Sequence, residues 1–182
     1  MSLPPHGEHP GPHPNLHRLS GQAVGGATER GLTVATAESL TAGMVAAVLA
    51  DTPGASAMLQ GGVIAYANSV KAEVLGVSRD LLDAVGSVDG QVAAAMAAGA
   101  RAACGADVGV ATTGVAGPEP HDGKPVGTVY IGVATGEGAT SYAYRFDGAR
   151  QEIRALACGA ALERLIDALD RATGGKVAGN KS

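Results

Sequence analysis

Ser39 lies in the run Thr36-Ala37-Glu38-Ser39-Leu40-Thr41-Ala42-Gly43, between an apolar, β-branched stretch (Leu32, Val34, Ala35) and an apolar helical pattern. A hydroxyl at a strand-to-helix turn stands beside backbone N–H groups that lack intrahelical partners and carry the positive end of the helix dipole. Two uses compete for it. Ser39 or Thr41 can cap the helix by accepting an early amide, worth about 1 kcal/mol. Alternatively Ser39 is a nucleophile, and the amides beside it hold an oxyanion.

A serine nucleophile needs a base, and Lys71 can take its proton only if burial or a neighbouring cation keeps the amine neutral. Tyr66, shortly before it, can relay that proton or orient a substrate. The plainer reading is a solvated lysine on a short helix and an amphipathic tyrosine at a sheet edge. Arg150 and Arg154 fall one turn apart at the start of a helix, where the dipole disfavours cations but free amides sit nearby. Two guanidinium groups there suit a phosphate; the alternative is an exposed pair partnering Glu152 or other acids.

These residues need strands to carry them. Strand one is expected at about 32–37, with a helix over about 41–50 that Pro53-Gly54 ends. Met58 to Ala67 reads as a strand with Gly61-Gly62 where a backbone or ligand comes close, and Asn68 as the cap of a short helix bearing Lys71. A further short helical piece covers 80–85, and Asp89 opens a long helix to about Cys104, closed by Gly105. Val108 to Thr113 has no alternation, as in a strand buried on both faces. Strands at 126–134 and 140–146 resemble a hairpin, and a helix over about 148–172 carries a stripe from Ile153 to Leu169. With a weak helix at 16–30 in front, this order predicts a three-layer α/β/α sandwich on a mixed sheet of about five strands. Ligands of such sheets sit beyond the strands' carboxyl ends. The polar groups there are Glu38, Ser39, Thr41 and Gly43 after the first strand, Tyr66, Asn68 and Lys71 after the second, and Thr112, Thr113 and Gly114 after the third.

Composition limits the possible partners. The chain has 182 residues, 46% of them hydrophobic but only 3% aromatic, with 28 glycines, so its core must be built from closely packed Ala, Val, Leu and Ile. A net charge of -4 without a basic cluster argues against nucleic acid or an anionic membrane as the main partner. No run approaches a membrane helix and the N-terminus lacks a signal-peptide layout, which points to the cytoplasm. Cys104 and Cys158 read as buried small hydrophobes without ligand spacing. Residues 1–15 are expected to be a disordered Pro/His-rich tail, 16–175 one domain and 176–182 a second tail. His6, His9, His13 and His17 have helical spacing for a metal, but the prolines between them forbid the helix.

Taken together, Ala37-Glu38-Ser39-Leu40-Thr41-Ala42-Gly43, Pro53-Gly54-Ala55-Ser56, Gly61-Gly62-Val63-Ile64-Ala65-Tyr66-Ala67-Asn68-Ser69-Val70-Lys71, Leu75-Gly76-Val77, Thr113-Gly114-Val115-Ala116-Gly117-Pro118 and Lys124-Pro125-Val126-Gly127-Thr128-Val129 resemble the C-terminal domain of the competence-damage-inducible CinA proteins. The resemblance spans about residues 20–172. It implies a nicotinamide-nucleotide amidohydrolase that converts nicotinamide mononucleotide and water to nicotinic acid mononucleotide and ammonia. Ser39, Tyr66 and Lys71 would be its catalytic residues, and it needs neither cofactor nor metal. Under that reading the amides after Ser39 hold the oxyanion. Thr112, Thr113 and Gly114 border the nicotinamide or ribose, and Arg150 with Arg154 the phosphate. Two-domain relatives carry an additional N-terminal domain, and this chain is expected to hold the C-terminal one alone.

The chain departs from the family pattern at Leu40 and Ala42, where cysteine and glycine are usual. It departs again at Glu119-Pro120-His121-Asp122-Gly123 in place of a glycine-rich turn, and at Ala149 in place of an aspartate. His121, on that loop, is either a ligand contact or a solvated histidine. Two other classes stay open: a nucleotide- or partner-binding module without turnover, and an amidase for another small amide. The Ala-rich helices suit packing between subunits, so a homo-oligomer is expected.

Overall fold

The computed structural model describes residues 15–172. Five strands form one mixed sheet in the order β2-β1-β3-β4-β5. They are β1 (Val34–Glu38), β2 (Leu59–Ile64), β3 (Val108–Gly114), β4 (Thr128–Thr135) and β5 (Gly138–Arg145). β1 pairs in parallel with β2 and β3, whereas β3-β4-β5 is an antiparallel meander ending in the expected hairpin. Six helices complete the described chain: α1 (Leu16–Arg30), α2 (Met44–Ala50), α3 (Asn68–Glu73), α4 (Arg79–Val85), α5 (Gly90–Cys104) and α6 (Arg150–Arg171). The three-layer α/β/α sandwich is as predicted. The tail histidines His6, His9 and His13, and the two predicted tails except Asn15, lie outside the described residues.

The scarcity of large side chains has a structural counterpart. α1, α2 and α6 cover one sheet face, packing Leu19, Leu49, Ile153, Leu162 and Leu165 on Val34, Val110 and Ile131. α5 covers the other through Val92, Met96, Ala97 and Ala100, against Ala35, Ala37 and Ala111. A Cβ added at Gly109 or Gly132 would stand 2.0 Å from the carbonyl oxygen of Ala97 or Ala93 respectively, so the α5 backbone lies directly on β3 and β4. Only glycine permits that approach. β3 is buried along nearly its whole length, as its lack of alternation predicts.

Several element ends differ from expectation. α2 begins at Met44 rather than near Thr41, leaving an irregular turn at 39–43 in which Ala42 (φ 51°) and Gly43 (φ 95°) are left-handed. Ala67, not Asn68, is the N-cap of α3, and no side chain caps it. Asp89 does cap α5, its carboxylate accepting from the Gln91 amide. No helix among the described residues is long and apolar enough to cross a membrane.

Candidate active site

Strand alternation divides the labour at the end of β1. Residues 34, 36 and 38 face α1, α2 and α6, and residues 35 and 37 face α5, so Ser39 follows its odd-numbered neighbours toward α3. The Ser39 amide still donates to Thr112 O at 2.9 Å, which holds the residue in sheet register. Glu38 turns the other way, beneath α2.

That turn decides what caps α2. Glu38, 1% exposed, accepts from the amides of Gly43 (2.9 Å), Val45 (3.0 Å) and Ala46 (2.8 Å) and from the Thr41 hydroxyl (2.7 Å). The carboxylate therefore does what a capping hydroxyl was expected to do. It neutralises the free amides at the helix start, and the dipole suits its charge. Thr41 bonds Glu38 and is joined to the Thr112 hydroxyl at 2.7 Å. Glu38, Thr41 and Thr112, expected near substrate, are at most 1% exposed and form the buried scaffold of the turn; Gly43, also expected there, is half-buried with its amide bonded to Glu38.

Ser39 is thereby left free of capping. Lys71 Nζ lies 3.3 Å from its Oγ, and also reaches the carbonyl oxygens of Ala65 (2.9 Å) and Tyr66 (3.2 Å). Only 1% of Lys71 is exposed, and no carboxylate lies within ion-pair reach of it among the described residues. Burial pulls its pKa down to about 8, with the more distant Asp122 charge opposing the shift. A neutral amine has two N–H donors and one lone pair. Nζ donates to all three oxygens, as an ammonium does; when the amine loses its proton the two carbonyls keep its donors, and the direction toward Ser39 is left for the lone pair. This is the arrangement a general base needs.

The other predicted residues divide between the cavity and its surroundings. Ser39, Leu40, Tyr66, Thr113, Gly114 and Arg150 line a cavity of about 280 Å³ at the carboxyl ends of β1 and β3. These two strands flank the point where chain connections diverge to opposite sides of the sheet, the usual ligand position in open α/β sheets. Arg150 donates to the Tyr66 hydroxyl at 2.9 Å and to Gly117 O at 2.7 Å. The Tyr66 hydroxyl is thus held at the cavity wall by Arg150, and its backbone carbonyl, not its phenol, meets Lys71. Asn68 is exposed and outside the cavity. Arg154 is also outside it, with Nε and Nη2 on the carbonyls of Leu40 (2.9 Å) and Thr41 (2.8 Å), so of the two arginines only Arg150 lines the cavity.

Sequence reasoning missed Ser87 and Asp122. Thr113 Oγ1 donates to Ser87 O at 2.7 Å, and the Ser87 hydroxyl and amide both donate to the Asp122 carboxylate, the hydroxyl at 2.7 Å. Burial pushes the Asp122 carboxyl up, but Ser87, His121 and the Val88 amide outweigh it and leave it below the ordinary aspartate range. Ser87 therefore fastens the loop bearing His121, which lines the cavity, to the end of β3. An aspartate between histidine and glycine in a turn is a signal, but only the fold supplies its partner.

Among the described residues no cluster of three His, Cys, Asp or Glu is placed to hold a metal. Cys158 lies buried, and desolvation with the Glu38 charge raises its pKa to about 12, so it is an inert thiol. A larger cavity of about 550 Å³ opens at the opposite end of the sheet, beside Leu32, Val108 and Thr135. Ser39 lines only the smaller cavity, and Lys71, which lines neither, reaches that cavity through Ser39, so chemistry rather than size selects the site.

Comparison with known proteins places the chain in a family. The family model of the CinA C-terminal domain matches residues 16–169. A CinA-like protein of Frankia casuarinae is 49% identical over 145 residues, covering 80% of this chain and 34% of that protein. A putative competence-damage inducible protein of Desulforamulus reducens is 49% identical over 135 residues, 74% of this chain and 33% of its own length. The chain thus spans about a third of the curated relatives it matches. Among solved structures, competence/damage inducible protein CihA from Agrobacterium tumefaciens superposes with a TM-score of 0.82 at 37% identity, covering 94% of this chain and all of that one. The match covers both the sheet and the elements that carry Ser39 and Lys71, and the chain belongs to the CinA C-terminal domain family.

Proposed function

We propose that the domain is an amidohydrolase that hydrolyses the carboxamide of nicotinamide mononucleotide to nicotinic acid mononucleotide and ammonia, with Ser39 as nucleophile. The supporting observation is the buried amine of Lys71, 3.3 Å from Ser39 Oγ, with two carbonyls occupying its donors. The choice of substrate rests on the family resemblance and on Arg150 at the cavity wall.

In this scheme neutral Lys71 takes the Ser39 proton as Oγ bonds to the carboxamide carbon, and backbone amides receive the oxyanion. The tetrahedral adduct collapses as the C–N bond breaks and Lys71 returns the proton to nitrogen, releasing ammonia. Water, deprotonated by Lys71, then attacks the acyl ester. Its C–Oγ bond breaks, Ser39 recovers the proton, and the carboxylate product leaves. Arg150 and Thr113 border the remainder of the substrate.

The test is ammonia release from nicotinamide mononucleotide by the purified protein. Binding without ammonia would favour a module that has lost turnover, and release from other small amides alone would redirect the substrate assignment. A cytoplasmic homo-oligomer belongs to the same proposal. Ile64 and Val74, exposed and apolar near the site, suit a subunit contact, which sedimentation would detect.

The pH dependence follows from the base. Lys71 must be neutral, so kcat/KM should rise with pH along a limb centred at about 8 and level off above it. The Asp122 charge favours protonated Lys71. In Asp122→Asn the limb should therefore move to lower pH, as a pH–rate profile beside wild type would show. An unmoved limb would mean that Asp122 acts only in fastening the loop.

A further inference from the structure

We infer that Arg154 is a positioning residue for this reaction, one that orients the Leu40 and Thr41 amides as oxyanion donors by holding the turn's carbonyls, and that it does not bind substrate. The inference rests on Ser39 being the nucleophile.

The amides after Ser39 are mostly spoken for. Ser39 donates to Thr112 O, Ala42 to Ser39 O, Met44 to Thr41 O, and Gly43, Val45 and Ala46 to Glu38. Among the described hydrogen bonds, only the Leu40 and Thr41 amides between residues 39 and 46 donate to nothing. An oxyanion formed at a carbon bonded to Ser39 Oγ has these two donors nearest in the chain.

Peptide planarity ties both to Arg154. The Leu40 carbonyl and the Thr41 N–H share one rigid plane and point in opposite directions. Arg154 Nε holds that carbonyl at 2.9 Å, which fixes the Thr41 N–H on the far side. Arg154 Nη2 holds the Thr41 carbonyl at 2.8 Å and so fixes the plane that carries the Ala42 N–H. That N–H donates to Ser39 O at 3.2 Å, and Ser39 O shares its plane with the Leu40 N–H. One guanidinium thus sets two amides through three linked peptide planes.

The turn needs an external hold. Ala42 at φ 51° occupies a region that costs an L-residue about 1 kcal/mol or more, and Gly43 follows at φ 95°. Glu38 secures only the α2 side, from Gly43 onward, besides the Thr41 hydroxyl. Arg154, from α6, secures the Ser39 side. A lysine keeps the charge but lacks the planar fork that bridges two carbonyls.

Arg154→Lys and Arg154→Gln separate positioning from phosphate binding. The measurements are kcat and KM for nicotinamide mononucleotide and, by calorimetry, the Kd of nicotinic acid mononucleotide. The expected result is a fall in kcat of about 10²-fold in both variants, with KM and product Kd within about threefold of wild type. A raised KM and weakened product binding at unchanged kcat would overturn the inference and assign Arg154 to phosphate. Unchanged kinetics would also overturn it. Should the glutamine variant not fold, the lysine variant carries the comparison alone. A wild type that releases no ammonia would instead overturn the amidohydrolase reading and this inference with it.

Discussion

Ser39→Ala should fold as wild type does and lose ammonia release by about 10⁴-fold or more, the scale on which removal of a covalent nucleophile acts. Folding should survive because the Ser39 side chain does no structural work that an alanine would abandon. Its one hydrogen bond is to Lys71, which retains the Ala65 and Tyr66 carbonyls. α2 keeps its cap, since Glu38 provides it. Far-UV circular dichroism and a melting curve check the first half of the expectation, and an ammonia assay with nicotinamide mononucleotide checks the second. Retained turnover would remove Ser39 from the chemistry. Equal binding of nicotinic acid mononucleotide by variant and wild type, measured by calorimetry, would show that the loss lies in the chemical step.

Much of this site is legible in the sequence because it follows from chain order. The unalternating run at 108–113, the hairpin signals and the long α6 stripe put Ser39, Thr113 and Gly114 at strand ends, and the strand order β2-β1-β3 then makes those ends neighbours. What local reading misjudges is the competition among polar groups in one turn. Glu38, Ser39 and Thr41 all qualify as caps by type; strand alternation and the late start of α2 give the role to the carboxylate. Arg154 misleads for a similar reason. Helical spacing beside Arg150 suggests a pair, but its reach to Leu40 and Thr41 spans more than a hundred residues of sequence, and only packing of α6 against the β1 turn supplies it. The Ser87–Asp122 fastening is likewise long-range: the turn around Asp122 is visible locally, but its partner is not.

Lys71→Met should lower turnover by about 10² to 10⁴-fold, the contribution of a positioned general base, while making the protein no less stable at neutral pH. The two effects share a cause. Burial that lowers the amine's pKa from 10.5 to about 8 penalises the charged form in the folded state, by up to about 3 kcal/mol when Lys71 is protonated. Methionine fills a similar volume without that cost, offset by the loss of donors to the Ala65 and Tyr66 carbonyls. The sign of the pH dependence follows directly. Below pH 8 both folded and unfolded wild type carry the proton, and the penalty is full. Between about 8 and 10.5 the unfolded chain binds more protons than the folded one, so wild-type stability rises with pH relative to the variant. Above 10.5 neither state is charged at this position and the gap stops changing. Denaturant unfolding of both proteins at pH 7 and 10 reads the difference, and a gap that does not move with pH would show that Lys71 is not held as an uncharged base.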